Sequence, residues 1–216
     1  MHKEGDALLI QQPVYYPFRE VIEDNGRIFV NNQLHYEDGK YTIDFEDFEK
    51  KIVDNNVKVF ILCNPHNPVG RVWTKEELEK MGDICLKHNV VIMDDEIHCD
   101  FTYPGFKFTS FMTLDEKYHN SLVLYTSPSK TFNVAGLQPA NIIIKNPELR
   151  AAYRKANAAA GYSQGSIMGQ VAVKSVYTKG DGWVNELVEY ITGNMNYMRD
   201  FVKENFPKAH FVDPEG

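Results

Sequence analysis

The chain has 216 residues, 43% hydrophobic and 25% charged, as in a globular protein whose core is large enough to need no disulfide staples. Its 23 basic and 30 acidic side chains leave a net charge of −7, which argues against a nucleic-acid or membrane-surface binder. No apolar run approaches the ~18 residues of a membrane span. Met1–Ile10 lacks the apolar core of a signal peptide, and Cys63, Cys85 and Cys99 show no CxxC spacing, so a cytoplasmic protein without a disulfide framework or structural zinc site is expected.

Taken in chain order, the first predicted element is a helix over 44–53 (DFEDFEKKIV), with a solvated acidic face. A buried strand follows over 57–63 (VKVFILC), β-branched and short. Thr74 with Glu77 three residues later is a capping box, and opens a helix over 74–89. Further buried strands are predicted over 90–93 (VVIM), 122–126 (LVLYT) and 141–145 (NIIIK). Helices are predicted over 147–160, 166–177 and 183–205, the last two parted by a Gly180-Asp181-Gly182 turn. Continuous apolar strands interleaved with helices predict an α/β fold, a three-layer sandwich around a mainly parallel sheet. The stretch 209–216 begins something extended and stops, and reads as cut rather than finished.

In such a sheet, ligands bind beyond the carboxyl ends of the strands. Asn64-Pro65-His66-Asn67-Pro68-Val69-Gly70-Arg71 follows the first of these strands, Asp94-Asp95-Glu96-Ile97-His98 the second, and Ser127-Pro128-Ser129-Lys130-Thr131 the third. An amide, a carboxylate and a lysine thus converge on one edge. A lysine can form a Schiff base with a carbonyl, and a carboxylate facing it can hold a pyridinium nitrogen protonated. Pyridoxal 5′-phosphate (PLP) is the cofactor that uses this pair. Plainer readings exist for each residue: a surface lysine for Lys130, a cap or turn residue for Asp95, an Asn-Pro turn for Asn67, core aromatics for Tyr15 and Tyr16. Asp94 and Gly70-Arg71 read as structural, Glu96 as a solvated or ion-paired neighbour, His66 as a turn residue and Cys63 as a buried hydrophobe. His98, Cys99 and Asp100 lack a second cluster that would make a metal site.

The strings NPHNPVGR, DDEIH and SPSKTFNVAGL, with Asn67, Asp95 and Lys130 spaced 28 and 35 residues apart, resemble the large domain of fold-type I PLP enzymes of the class I/II aminotransferase family. DEIHCD and SKTFNVAGLQ resemble its MalY/PatB branch, of the cystathionine β-lyase or C–S lyase type. The resemblance implies that Lys130 is the Schiff-base lysine and moves the Cα proton. It implies that Asp95 pairs with the pyridine nitrogen, Asn67 bonds the phenolic oxygen and Tyr15 stacks on the ring. Ser127 and Ser129 would contact the phosphate, Tyr16 would sit beside the substrate as an acid–base helper, and His98 would lie near the phenolic oxygen.

Gln138 departs from the family pattern, since many relatives place a phosphate-binding arginine there, and a glutamine gives up the bidentate charged contact. The resemblance further implies a homodimer, a small sulfur-containing amino acid as substrate, and a parent chain nearly twice as long. Residues 1 to about 180 would then be the large domain and those from about 181 the start of a small domain that carries the substrate-carboxylate arginine. An aminotransferase on the same scaffold, and a truncated or non-catalytic regulatory module, remain the alternatives.

Overall fold

The computed structural model describes residues 4–162 and 165–216. Its elements in chain order are β1 (Ala7–Ile10), α1 (Pro17–Asp24), β2 (Ile28–Asn31), β3 (His35–Glu37), β4 (Lys40–Thr42), α2 (Phe45–Asp54), β5 (Val59–Cys63), α3 (Lys75–Lys87), β6 (Val91–Asp95), β7 (Leu122–Thr126), β8 (Asn141–Ile143), α4 (Pro147–Ala159), α5 (Ile167–Lys179) and α6 (Asp181–Asn205). Six strands form one sheet in the order β2-β1-β5-β6-β7-β8, and β3 with β4 makes a separate antiparallel hairpin. The first five strands of the large sheet run parallel, while β8 pairs antiparallel with β7.

The side chains of β1 and β5 alternate between two cores, as the two-residue period of a strand requires. Leu9, Phe60 and Leu62 join Phe48, Ile52, Leu78 and Met81 of α2 and α3 in the main core. Ile10, Ile61 and Cys63 meet Phe18 and Ile22 of α1 on the other face. The sheet is therefore covered on both sides, in the predicted three layers. At the main core's rim, the Trp73 indole donates to the Cys63 carbonyl at 3.0 Å, tying β5 to the start of α3. The predicted Thr74–Glu77 capping box is complete, and Asp44 also caps its helix, accepting from the Glu46 and Asp47 amides.

Several boundaries differ from the sequence reading. β6 runs on through Asp94 and Asp95, whose backbones stay in register with β5 and β7. Gly180 alone separates α5 from α6, so Asp181 and Gly182 belong to the helix rather than to a turn. A Cβ at Gly180 would lie 2.4 Å from the Phe132 ring, which also stacks on Trp183 at 5.6 Å. This close approach seats the α5–α6 junction against the segment that follows Lys130. Within 209–216, Glu215 is buried and paired with Arg71.

Candidate active site

The carboxyl ends of β5, β6 and β7 open on a cavity of about 480 Å³. Asn67, Asp95, His98, Ser127, Ser129 and Lys130 line it, together with Tyr15 from the segment before α1. Asp95 reaches the cavity because it is the last residue of β6 and shares the α1-side face of the sheet with Cys63, its register partner. One Asp95 oxygen, Oδ1, accepts the Ile97 amide at 3.1 Å.

Lys130 sits in a turn that its own neighbours hold. The Ser129 amide donates to Ser127 Oγ at 3.0 Å, the Phe132 amide to the Pro128 carbonyl at 2.9 Å and the Val134 amide to the Ser129 carbonyl at 3.0 Å. Thr131, fully buried, donates its hydroxyl to Asp100 Oδ2 at 2.7 Å and so fixes the lysine turn to the segment after β6.

The electrostatics follow from burial. Desolvation raises the Asp95 carboxyl above the usual carboxylate range, opposed by the Ile97 N–H and by the nearby Lys130 charge. Burial lowers the His98 imidazole, and the Lys130 charge lowers it further, so His98 is neutral at pH 7. The Cys63 thiol, at the cavity wall, is pushed up to about 12 by burial and stays protonated. The site thus offers one carboxyl, one amine and several neutral hydrogen-bonding groups. No arginine lines the cavity among the described residues.

Seven of the eight predicted site residues meet at this cavity. Tyr16 does not: it caps α1 from outside, is 71% exposed and touches Tyr15 at a ring distance of 5.7 Å. Pro17 starts the helix there, which turns Tyr16 to the outer surface. Ser127 lines the cavity, but its hydroxyl donates to the Pro139 carbonyl at 2.5 Å, so it shapes the lysine turn. His66 is buried behind the site, with Nε2 2.9 Å from the Pro13 carbonyl and its ring edge-on to Trp73 at 5.3 Å. Glu96 is not solvated, and it forms no ion pair among the described residues. It is 2% exposed and accepts the Phe111 amide at 2.9 Å, because β6 carries it beneath the 111–118 segment.

The sequence reading missed the cavity roles of Cys63 and Tyr162 and the Thr131–Asp100 bond. Strand alternation from Ile61 could have revealed Cys63. Nothing in the sequence marks Tyr162, which reaches the cavity from the end of α4.

The whole chain, residues 1–216, matches the family described as aminotransferase class I and II. It is 42% identical over 211 residues to cystathionine β-lyase PatB of Bacillus subtilis, covering 98% of this chain and 54% of PatB. It is 32% identical over 215 residues to protein MalY of Escherichia coli, covering 98% of this chain and 54% of MalY. Among solved structures it is similar to cystalysin from Treponema denticola, which contains a pyridoxal 5′-phosphate cofactor. The TM-score is 0.93 at 40% identity, covering 95% of this chain and 52% of cystalysin. The chain spans about half the length of these relatives. With its parallel sheet and a lysine, a carboxyl and an amide gathered at the strand ends, the chain belongs to the class I and II aminotransferase family.

Proposed function

We propose that the protein binds PLP and acts as a C–S β-lyase, splitting cystathionine or a related S-substituted cysteine into pyruvate, ammonia and a thiol. The observation that carries this reading is the meeting of the half-buried Asp95 carboxyl and the Lys130 amine in one cavity. PLP, when bound, supplies an electron sink for the pair left at Cα. The donor set suits it. Asp95 has one oxygen held by Ile97 and the other available to a ring N–H⁺. Asn67 offers an amide for the phenolic oxygen, Tyr15 a ring face, and Ser129 and Gln138 neutral donors for a phosphate. With no arginine in the wall, this chain's own grip on the phosphate rests on neutral hydrogen bonds.

The chain's residues then divide the work. Lys130 Nζ takes the Cα proton. The C–S bond breaks with its electron pair leaving on sulfur, which takes up a proton, and water completes the conversion to pyruvate and ammonia. Neutral His98 beside Lys130 adds no competing positive charge. PatB, named a cystathionine β-lyase, supports the lyase over its alternatives.

Residues from about 181 fit the start of a second domain, since α6 buries none of its residues and leaves Tyr190, Tyr197 and Phe201 exposed. A homodimer in the cytoplasm completes the reading. No helix among the described residues is long and apolar enough to cross a membrane.

The test is product formation by the full natural protein loaded with PLP and given cystathionine. Pyruvate without a keto-acid acceptor is expected. Turnover only with an acceptor would instead establish the aminotransferase, which the family's name keeps as the second reading. Cofactor binding without either reaction would leave a non-catalytic module.

Asp95→Asn is expected to lower turnover by about 10²–10³-fold, the usual cost of removing one preorganised electrostatic partner. It should not weaken folding. Asparagine Oδ1 still accepts the Ile97 amide, and a carboxyl raised by burial gains nothing from ionising. Matched thermal melts at pH 8 and steady-state rates check both halves. A rate within threefold of wild type would count against the ring-nitrogen role.

A further inference from the structure

Asp94 stands on the face of β6 opposite Asp95, beside Ile92 and the main core. Its register partners are Leu62 on β5 and Leu124 on β7, both buried. Asp94 is 0% exposed, and among the described residues no donor meets either of its carboxyl oxygens at hydrogen-bond geometry. The side chains that face it are Glu96 and Asn64. Asn64 Nδ2 donates to the Thr109 carbonyl at 3.2 Å, and its Oδ1 has no partner. Glu96 Oε1 takes the Phe111 amide. No ion pair among the described residues involves Asp94 or Glu96.

Two ionised carboxylates in that position would offer each other only acceptors, inside an apolar wall. A single proton resolves this. It cancels the like-charge repulsion and turns one acid into a donor for the other, or for the orphaned Asn64 oxygen. We propose that Asp94 and Glu96 hold one proton between them and act as a positioning pair for Asp95, keeping a single negative charge on the side of β6 away from the cavity.

The surroundings agree. Burial raises the Asp94 carboxyl well above the usual range, and Glu96 and the Asp95 charge add to that, outweighing the opposite pull of the Asn64 amide. Burial also raises Glu96, against the pull of Asp94, Ser110 and the Phe111 amide. The other titratable groups that reach the pair are Asp95 on the same strand and the thiols of Cys63 and Cys99. Burial pushes both thiols up to about 12, so they stay protonated and add no charge of either sign. An ionised Asp94 would set a second negative charge next to Asp95. It would add to the burial that already raises Asp95, and so disfavour the carboxylate at the cavity. Only that consequence rests on the PLP reading; the proton count does not.

An acid raised in the folded state binds its proton more tightly there than in the unfolded chain. The stability it contributes is therefore full below the unfolded value and is lost as pH rises toward the folded one. Asp94→Asn has no such proton to lose and gains on wild type as pH rises.

The test is infrared spectroscopy of the full natural protein at pH 8, cofactor-free and PLP-loaded. A protonated-carboxyl C=O band that shifts in D2O is expected in both forms. It should vanish in Asp94→Asn and in Glu96→Gln, where the new amide donates to Asp94 and lets it ionise. Asp94→Asn should also melt about 3 °C or more above wild type at pH 8, with the gain gone near pH 4, about the ordinary carboxylate value.

Absence of the band in wild type, which needs no variant, would overturn the proposal, as would a band that survives Asp94→Asn. A band lost in Asp94→Asn but kept in Glu96→Gln would place the proton on Asp94 alone and overturn the sharing. Because the band is read without cofactor, its failure is distinct from a failure to bind PLP.

Discussion

Replacing Lys130 with alanine is expected to lower turnover of the PLP-loaded protein by at least about 10⁴-fold, the upper end of what a positioned proton carrier contributes. The loss should be chemical rather than structural. The turn that holds Lys130 is built from the Ser127 hydroxyl, the Pro128 and Ser129 carbonyls and the Thr131–Asp100 bond, none of which uses the lysine side chain. The Lys130 side chain takes part in no ion pair among the described residues. The variant should therefore melt within about 0.5 kcal/mol of wild type, as surface substitutions do. Two neighbours report the lost charge. The Asp95 carboxyl and the His98 imidazole both feel Lys130 as a lowering influence, so both should titrate at higher pH in the variant. Borohydride should fix PLP covalently to wild type and not to Lys130→Ala, and a small primary amine added to the variant should restore part of the rate. Wild-type labelling in the variant would assign the attachment to another lysine.

The residues around that lysine were legible from sequence because chemistry and fold coincide there. β5, β6 and β7 are runs of apolar residues buried on both faces, and their ends are where polar residues become free to meet. What lies behind the site was not legible. Asp94 reads only as structural and Glu96 as solvated or ion-paired, yet strand alternation, which sends Asp95 to the cavity, puts Asp94 in the core beside Leu62 and Leu124. β1 to β4 escaped prediction because each is only three or four residues long, and β3 is exposed throughout. The direction of β8 is set by its return along β7 through the Gln138–Ala140 segment, which no local pattern encodes. Tyr15 and Tyr16 both carried a site reading, and a one-residue difference at the start of α1 sends Tyr15 to the cavity and Tyr16 outward.

The least legible feature joins residues 144 positions apart, and its removal should produce the largest loss of stability. Arg71 is 3% exposed. Its Nε donates to Glu215 Oε2 at 2.8 Å, its Nη2 forks onto Glu77 at 2.9 and 3.0 Å, its Nη1 donates to the Tyr41 carbonyl, and its plane lies over Trp73 at 4.6 Å. Arg71→Ala should cost about 3–5 kcal/mol, because it strands the buried Glu215 carboxylate rather than merely deleting a contact. In a chain of this size that lowers Tm by about 10 °C.

Among the described residues, Glu215 would keep the Val72 amide at 2.9 Å and Lys40 at 3.2 Å. Burial acts to raise the Glu215 carboxyl, but Arg71, the Val72 N–H and Lys40 outweigh it, so its pKa lies below the usual range. The stability from this group is therefore present above the unfolded glutamate value and lost as pH falls through the folded one. Glu215→Gln should accordingly be weaker than wild type at pH 7 and converge with it in acid.

The damage should reach the site as well. Gly70 adopts φ +69°, its carbonyl takes the Glu215 amide at 2.6 Å, and any Cβ there would lie 2.5 Å from Pro214, so the loop bearing Asn67 is pressed against this segment. Loosening it should weaken cofactor binding together with stability. The double change Arg71→Met with Glu215→Met should recover part of the loss, since no charge is left unpaired between the two positions. Recovery would identify stranded charge as the cause; a double variant as unstable as Arg71→Ala would assign the cost to the Tyr41, Glu77 and Trp73 contacts instead.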